Sequence, residues 1–242
     1  MLESPDIVLG EPVEIQLYLA SSSPRRKELL SLLSWEYNQL PVQVDETPLP
    51  GEEGAFYVKR ISSCKVLSAI NRAGVPGVII AADTAVIDFD VNGREKILGK
   101  PPTSAEAAEM LRNLRGHTHQ VITAVSLLST ESGTMLGASC TTDVPMRSYR
   151  DDEIDEYVAT GDPLDKAGAY AIQNASFHPV ERLKGCYANV MGLPLCHLAR
   201  SLLRLGIRPG VDVPQVCQAA LKYNCPVYRG ILSATDRDVQ LI

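Results

Sequence analysis

Two adjacent arginines have the residue types and position that best suit the binding of an anion. Arg25 and Arg26 follow Ser23 and Pro24 at the start of a predicted helix, because serine favours the N-cap position and proline the first helical position. Two cations at a helix N-terminus disfavour folding by about 0.3–1 kcal/mol, and a bound phosphate would reverse that balance. This segment alone predicts an anion site and a solvated surface helix about equally well.

An acidic residue follows a buried segment further along the chain. The apolar run GVIIAAD (77–83) predicts a strand that ends at Asp83, and Thr84 comes next. Ligands gather at the carboxyl ends of strands in open α/β sheets, and an aspartate there costs desolvation unless a metal or hydrogen-bond donors meet it. The competing interpretation is an aspartate that caps a turn.

Three further charged residues are candidates that spacing alone does not single out. Glu46, in the predicted loop QVDETP, would supply a second oxygen ligand to a hard metal, although a solvated acidic loop is the simpler interpretation. Lys65 borders the predicted apolar stripe of a helix. Lys100 lies in ILGKPP, which lacks the spacing of a phosphate-binding P-loop.

Other reactive side chains give weaker signals. His117 and His119 would face the same side of a predicted strand, but no third metal ligand lies near them in the sequence, so structural or solvent-facing roles are favoured. Ser126 and Cys186 have no evident base beside them. The six cysteines lack zinc-site spacing, and we expect reduced, mostly buried thiols.

Apolar periodicity and capping residues predict alternating strands and helices. Strands are expected at 15–20, 77–83, 86–87, 96–98, 120–128 and 135–144, and helices at 24–33, 53–72, 103–114, 151–160, 194–206 and 216–223. On the second helix the predicted buried stripe is Tyr57, Ile61, Cys64, Leu67 and Ile70 or Asn71. Asn92 and Gly93 predict a hairpin turn. The pattern predicts a mixed α/β sheet covered by helices.

Composition limits the class of protein. The chain has 242 residues, of which 45% are hydrophobic and 21% charged, and its formal net charge is −6. These values are typical of a globular protein and disfavour a general nucleic-acid binder, which usually carries a basic face. We find no apolar run of about 20 residues and no apolar signal core at the N-terminus, so we expect a cytoplasmic protein without a membrane segment.

Taken together and in order, several segments resemble the Maf family of nucleoside triphosphate pyrophosphatases. They are LYLASSSPRRKELL, VDETP, CKV, AADTAV, ILGKP, AAEMLRNLRGHTHQVITAVSLL, YVATGDPLDKAGAYAIQ and YANVMGLPL, and they span about residues 16–206. The resemblance implies a partly hairpin-built mixed sheet flanked by helices, similar to inosine triphosphate pyrophosphatase, with a cleft between two lobes. It leaves an N-terminal arm at 1–15 and a C-terminal extension of unknown role at 207–242.

The resemblance also implies a chemistry and a set of site residues. Hydrolysis between the α- and β-phosphates would use Mg²⁺ or Mn²⁺, and a homodimer is expected. Asp83, Lys100 and Glu46 would be catalytic, with Glu46 and Asp83 also holding the metal. The side chains expected to bind the nucleotide and to select it are Ser21, Arg25, Arg26, Lys65, Thr84 and Gln173.

Three of these residues match the subgroup that resembles dTTP and UTP pyrophosphatases. They are Arg25 after the Ser-Pro pair, Thr84 after the aspartate and Gln173 at the end of the KAGAYAIQ block. Gln173 and Thr84 are therefore expected to read the polar edge of a pyrimidine. Two alternatives stay open: a 7-methyl-GTP pyrophosphatase, which would carry a tryptophan in place of Arg25, and a non-catalytic nucleotide-binding regulator of cell division.

Overall fold

A computed structural model of the chain describes residues 15–234 and 240–241. In this part of the chain one mixed sheet has the strand order β2-β1-β3-β5-β6-β7, with β4 also paired to β3. The strands are β1 (Gln16–Leu19), β2 (Tyr37–Gln39), β3 (Gly77–Phe89), β4 (Glu95–Leu98), β5 (Thr118–Ser129), β6 (Met135–Pro145) and β7 (Gln240–Leu241). The predicted mixed α/β class is confirmed.

Helices cover both faces of this sheet. The α-helices are α1 (Pro24–Ser31), α2 (Gly54–Ala69), α3 (Ser104–Leu114), α4 (Asp151–Ala159), α5 (Tyr187–Met191), α6 (Leu195–Arg204), α7 (Val213–Leu221) and α8 (Tyr228–Ser233). Short 3-10 helices lie at Ile70–Arg72, Asp162–Asp165 and Ala167–Ala169. In the described ranges no helix is long and apolar enough to cross a membrane.

Local sequence explains where the helices begin. The Ser23 hydroxyl accepts from the Arg26 amide, with Pro24 as the first residue of α1, and the Thr103 hydroxyl accepts from the Glu106 amide at the start of α3. Both caps satisfy an N–H that the helix itself leaves without a partner. The predicted caps are confirmed.

One edge of β3 contains a gap that the sequence does not reveal. The parallel strand β1 pairs with Gly77–Ile80, and the antiparallel strand β4 pairs with Val86–Phe89 on the same edge. Residues 81–85 between them have no strand partner there within the described chain, whereas β5 pairs along the opposite edge. The prediction that the strand ends at Asp83 is wrong: β3 continues to Phe89, and Asp83 lies in its middle, beside the gap.

The two faces of β3 pack against different helices. Ile80 and Ala82 belong to an apolar cluster with α1, α5 and α6, and Val86 on the same face belongs to a second cluster with α3 and α4. The alternate residues pack against α2. Because side chains alternate along a strand, Thr84 lies between the first two clusters, while Asp83 lies on the face that carries α2.

The buried face of α2 agrees with the predicted stripe at Tyr57 and Ile61 but differs from it in the second half of the helix. Val58, Val66 and Ala69 are fully buried, whereas Leu67 is 53% exposed and Ile70 is 38% exposed. In this half of the helix the face that contacts the sheet is therefore turned by about one residue relative to the predicted one. As a result Lys65, expected at the border of the apolar stripe, has its side chain beneath the helix and only 9% exposed.

Two helices of the C-terminal segment pack onto the first cluster. Val216 of α7 and Ile231 of α8 contact its apolar residues, and the Tyr223 hydroxyl lies 2.9 Å from the carbonyl of Gly185 and 3.0 Å from that of Leu183. The predicted helix at 216–223 is present but begins at Val213. Residues 1–14 of the predicted N-terminal arm lie outside the described residues.

The corrected face of α2 predicts unequal costs for two truncations in this helix. Replacing buried Ile61 with alanine is expected to lower the free energy of unfolding by about 2–5 kcal/mol, since it leaves a cavity against the sheet. Leu67→Ala, the matched control on the exposed side, should change it by less than about 0.5 kcal/mol. Urea unfolding measures both values, and equal losses would contradict this orientation of α2.

Candidate functional site

All nine residues singled out from the sequence line one cleft of about 480 Å³. They are Ser21, Arg25, Arg26, Glu46, Lys65, Asp83, Thr84, Lys100 and Gln173. The β1–α1 turn forms one wall, the segment around residues 162–173 forms another, and the gap beside β3 forms the floor. Five basic and four acidic side chains border the space, in a chain whose net charge is −6. The lining of the cleft thus carries a formal charge of +1, five basic minus four acidic side chains, within an acidic chain.

The ammonium group of Lys65 lies between two carboxylates at the floor of the cleft. Its Nζ is 2.7 Å from Oδ1 of Asp83 and 2.7 Å from Oε1 of Glu46. Asp83 and Lys65 are both buried, whereas the side chain of Glu46 is 46% exposed. A buried carboxylate requires such a partner, because an unpaired buried charge is strongly destabilising.

The two carboxyl groups have pKa shifts of opposite direction. Burial raises the pKa of Asp83, and the nearby charges of Lys65 and Arg26 only partly oppose this effect. Burial would also raise the pKa of Glu46, but its hydrogen bond with Lys65 and the charges of Lys65, Lys100 and Arg26 outweigh burial and lower it. Asp83 is therefore the better proton acceptor of the pair.

Arg26 is held in place by protein acceptors. Its Nε donates to the carbonyl of Gly192 at 2.9 Å, and its Nη2 donates to the Thr84 hydroxyl at 3.1 Å. Gly192 has φ +109°, and a Cβ there would lie 3.2 Å from the Thr84 hydroxyl, so glycine suits this close contact. A guanidinium has five N–H donors, and these two bonds leave the others for an anion in the cleft.

The remaining predicted residues border the same space. Ser21 is buried, and its hydroxyl accepts from the Ser23 amide at 3.2 Å. Arg25 lies beside Arg26 in the first turn of α1. Lys100 and Gln173 are exposed and also line the cleft. Together with Lys65 and Lys166, cationic side chains therefore reach the cleft from four separate segments of the chain.

Sequence reasoning missed a second ion cluster in the far wall. Lys166 donates to Asp162 Oδ1 at 2.9 Å and to Asp165 Oδ1 at 2.5 Å, and the Tyr157 hydroxyl donates to Asp162 Oδ2 at 2.7 Å. These bonds fix the 3-10 segment that leads to Gln173. The signal was present in the block DPLDKAGAYAIQ, from which only the last residue was selected.

The other reactive side chains lie apart from this cluster. His117 is exposed and contacts Asp88, whereas His119 is fully buried and shares a hydrogen bond with the Tyr170 hydroxyl. Burial lowers the pKa of His119 to about 3, so its ring is neutral. Ser126 is buried and bonds to Ser62.

The cysteines are free thiols, as expected. Three of the six, Cys140, Cys186 and Cys196, are buried, and the other three are partly buried. A hydrogen bond with Cys140, followed by burial, raises the pKa of Cys186. A thiol of this kind is a poor nucleophile at neutral pH.

The acidic pair offers oxygen donors that fit a hard divalent cation. Within the described residues, neither Oδ2 of Asp83 nor Oε2 of Glu46 takes part in a hydrogen bond. Mg²⁺ is commonly bound by one or two carboxylates together with substrate phosphates. No group of three or more protein ligands suited to a metal occurs in the described ranges, so any metal here would depend on substrate oxygens.

Removing the ammonium group of Lys65 should raise the pKa values of both neighbouring carboxyl groups. In Lys65→Met, the pKa values of Asp83 and Glu46 are expected to rise, because a charge and hydrogen bonds that lower them are lost. Carboxyl ¹³C NMR titration measures both groups. Lys59→Met, on the same helix but away from the cleft, is the matched control, and unchanged values in Lys65→Met would refute the contact.

Two proteins with about 40% sequence identity to this chain are described as dTTP/UTP pyrophosphatases. A dTTP/UTP pyrophosphatase of Geobacter sulfurreducens is 40% identical over 191 residues, which make up 79% of this chain and 97% of that protein. A dTTP/UTP pyrophosphatase of Pasteurella multocida is 41% identical over 204 residues, covering 80% and 98%. A solved structure of the Staphylococcus aureus Ham1 protein overlaps with a TM-score of 0.40 at 15% identity, covering 55% of this chain and 72% of that one.

A protein-family profile matches most of the chain. The profile described as Maf-like protein matches residues 16–205, a range that includes every side chain of the cleft named above and stops at the end of α6. Together with relatives at about 40% identity over nearly their whole length, this match shows that the chain belongs to the Maf-like protein family.

Proposed function

We propose that this protein hydrolyses nucleoside triphosphates to the monophosphate and pyrophosphate, with dTTP and UTP as preferred substrates. The observation that carries the proposal is a carboxylate of raised pKa, Asp83, on the floor of a cleft bordered by Arg25, Arg26, Lys65 and Lys100. The similarity to proteins described as dTTP/UTP pyrophosphatases supports the choice of substrate. Removal of unwanted nucleotides from the cellular pool would be the physiological role.

The basic side chains would bind the triphosphate. Arg25 and Arg26 stand at the N-terminus of α1, where the helix dipole adds to their charge. Lys100, in the loop after β4, also lines the cleft. Such groups stabilise the charge that develops on phosphate oxygens, and removing one donor of this kind commonly costs 10²–10³-fold in rate, or roughly 3–4 kcal/mol.

Asp83 would accept the proton of the attacking water. The water oxygen forms a bond to the α-phosphorus, the bond from that phosphorus to the bridging oxygen breaks, and pyrophosphate leaves with the bonding electron pair. An ordinary aspartate, with a pKa near 3.9, is a weak base at neutral pH. The raised pKa of Asp83 supports this role, and Lys65 holds the carboxylate in position.

A divalent cation, Mg²⁺ or Mn²⁺, would supply further charge neutralisation for the phosphates when bound. Glu46 and Asp83 would hold it through their two oxygens that lack a hydrogen bond within the described residues. A bound cation would lower the pKa of Asp83 but also that of the attacking water, so Asp83 could bind the cation and still accept the proton. The need for an added cation is tested directly by chelation.

A nucleotide panel tests the proposed reaction. Release of pyrophosphate is measured from dTTP, UTP, CTP, ATP, GTP and 7-methyl-GTP, with Mg²⁺, Mn²⁺ or EDTA. We expect the monophosphate and pyrophosphate from dTTP and UTP, and a loss of turnover in EDTA. Turnover restricted to 7-methyl-GTP would place the protein in the 7-methyl-GTP pyrophosphatase subgroup. Nucleotide binding without any turnover would favour a non-catalytic regulator of cell division.

The Asp83→Asn variant is expected to lose turnover of every nucleotide. The amide cannot accept the proton, so kcat should fall by about 10²–10⁴-fold, the range for loss of a general base. Asp143→Asn, a change on an exposed part of β6 outside the cleft, is the matched control. Near-normal turnover in Asp83→Asn would exclude the assigned role.

Gln173 would select the base rather than support the chemistry. It lies exposed at the wall of the cleft, next to the ion cluster of Lys166. In Gln173→Ala we expect the ratio of kcat/KM for dTTP and UTP over CTP and GTP to fall towards one, because a site that hydrogen-bonds a base rejects others through unpaired polar groups. An equal loss for all four nucleotides would argue against base selection.

We also propose a homodimer in the cytoplasm, which is the expectation from the family resemblance. Size-exclusion chromatography with light scattering gives the mass in solution directly. A mass of about one chain, 26.3 kDa, would contradict the dimer. Fractionation of cells that express the protein tests its location.

A further inference from the structure

The hydroxyl of Thr84 belongs to a chain of hydrogen bonds that runs away from the cleft. Thr84 and Thr123 are direct neighbours on the paired strands β3 and β5, and their hydroxyl oxygens are 3.0 Å apart. The Thr123 hydroxyl donates to the backbone carbonyl of Asn189 at 2.9 Å. Thr123 is fully buried and is absent from the lining of the cleft.

The donor direction in this series of hydrogen bonds follows from the single proton that each threonine hydroxyl carries. A threonine hydroxyl has one proton to donate and two lone pairs. The proton of Thr123 is used on the carbonyl of Asn189, so in the pair of hydroxyls Thr84 donates and Thr123 accepts. Thr84 therefore offers a lone pair to the Nη2 of Arg26, 3.1 Å away. All donors point the same way, an arrangement in which each bond strengthens the next.

The far end of the chain is anchored in the core. Asn189 is fully buried in α5, and its Nδ2 donates to the Val121 carbonyl on β5 and to the Thr142 hydroxyl on β6, both at 2.9 Å. Gly192 lies at the C-cap of α5, and its carbonyl accepts a hydrogen bond from Arg26 Nε. Helix α5 and its C-cap residue thus hold the guanidinium at two points, directly through Gly192 and indirectly through the two threonines.

We propose that Thr84 and Thr123 are positioning residues that aim Arg26 at the phosphates, and that Thr84 does not read the base. This inference rests on the proposed function only for its kinetic readout. With its proton used on Thr123, Thr84 has no donor left for the acceptor oxygens of uracil or thymine. Its position after Asp83 instead places a hydroxyl on the face of β3 where Arg26 lies.

A ligand without a base separates the two roles. Inorganic triphosphate binds through its charges alone, so its affinity reports on Arg26 and is independent of base recognition. We expect Thr84→Val and Thr123→Val each to raise the Kd of inorganic triphosphate by about 10- to 100-fold, the range for a hydrogen bond to a charged group. Isothermal titration calorimetry measures it, even in the absence of turnover.

Kinetics with several nucleotides provide the second readout. Both valine variants should lower kcat/KM for dTTP, UTP and GTP by the same factor, and the double variant should lose little more than either single one, because the residues act in one chain. Thr84→Ser and Thr123→Ser keep the hydroxyl and should restore most of the affinity for triphosphate. Thr141→Val, an exposed β6 position outside the cleft, is the matched control.

Two results would overturn the proposal. One is an unchanged Kd for triphosphate in folded Thr84→Val together with a shifted ratio of dTTP to GTP turnover, which would make Thr84 a base reader. The other is additive losses in the double variant. Thermal unfolding monitors the fold, and if Thr123→Val does not fold, Thr84→Val and its serine counterpart still decide the matter. Absence of turnover in the wild-type protein would refute the proposed function and leave the binding test intact.

Discussion

The contact of Lys65 with Asp83 and Glu46 is the interaction on which the arrangement of the cleft depends. A carboxylate in the middle of a buried strand is tolerated because an ammonium group meets it at 2.7 Å. That ammonium is supplied by the face of α2 that packs on β3 and β5. A rotation of the helix by one residue would carry the lysine away from Asp83. The apolar packing of α2 on the sheet therefore also fixes the ion pair of the site.

The gap in the edge of β3 lets consecutive residues serve one cavity. Asp83 and Thr84 point to opposite faces of the sheet, and in an unbroken sheet they would be separated by neighbouring strands. Because β1 stops before this point and β4 pairs after it, both side chains reach the same space. The shared access of these two side chains to the cleft is therefore a consequence of strand lengths.

The sequence predicted what depends on local chemistry. Caps such as Ser23 and Thr103, the turn at Gly93 and the long hairpin strands follow from residue type and period, and all are present. The family motifs, taken in order, predicted nine residues that do line one cleft. Their roles are still proposals. The short edge strand β2, the five-residue helix α5 and the burial of Lys65 depend on tertiary partners, which a periodic pattern does not encode.

The packing of α7 and α8 on the first apolar cluster bears on where this protein can be cut. The family profile ends at residue 205, but Val216, Leu221 and Ile231 beyond it cover apolar surface of the core. A chain ended at the family boundary would leave that surface in water, where exposed apolar patches promote association. The packed unit thus extends beyond residue 205, where the family profile ends, and the profile is a poor guide to where an expression fragment should stop.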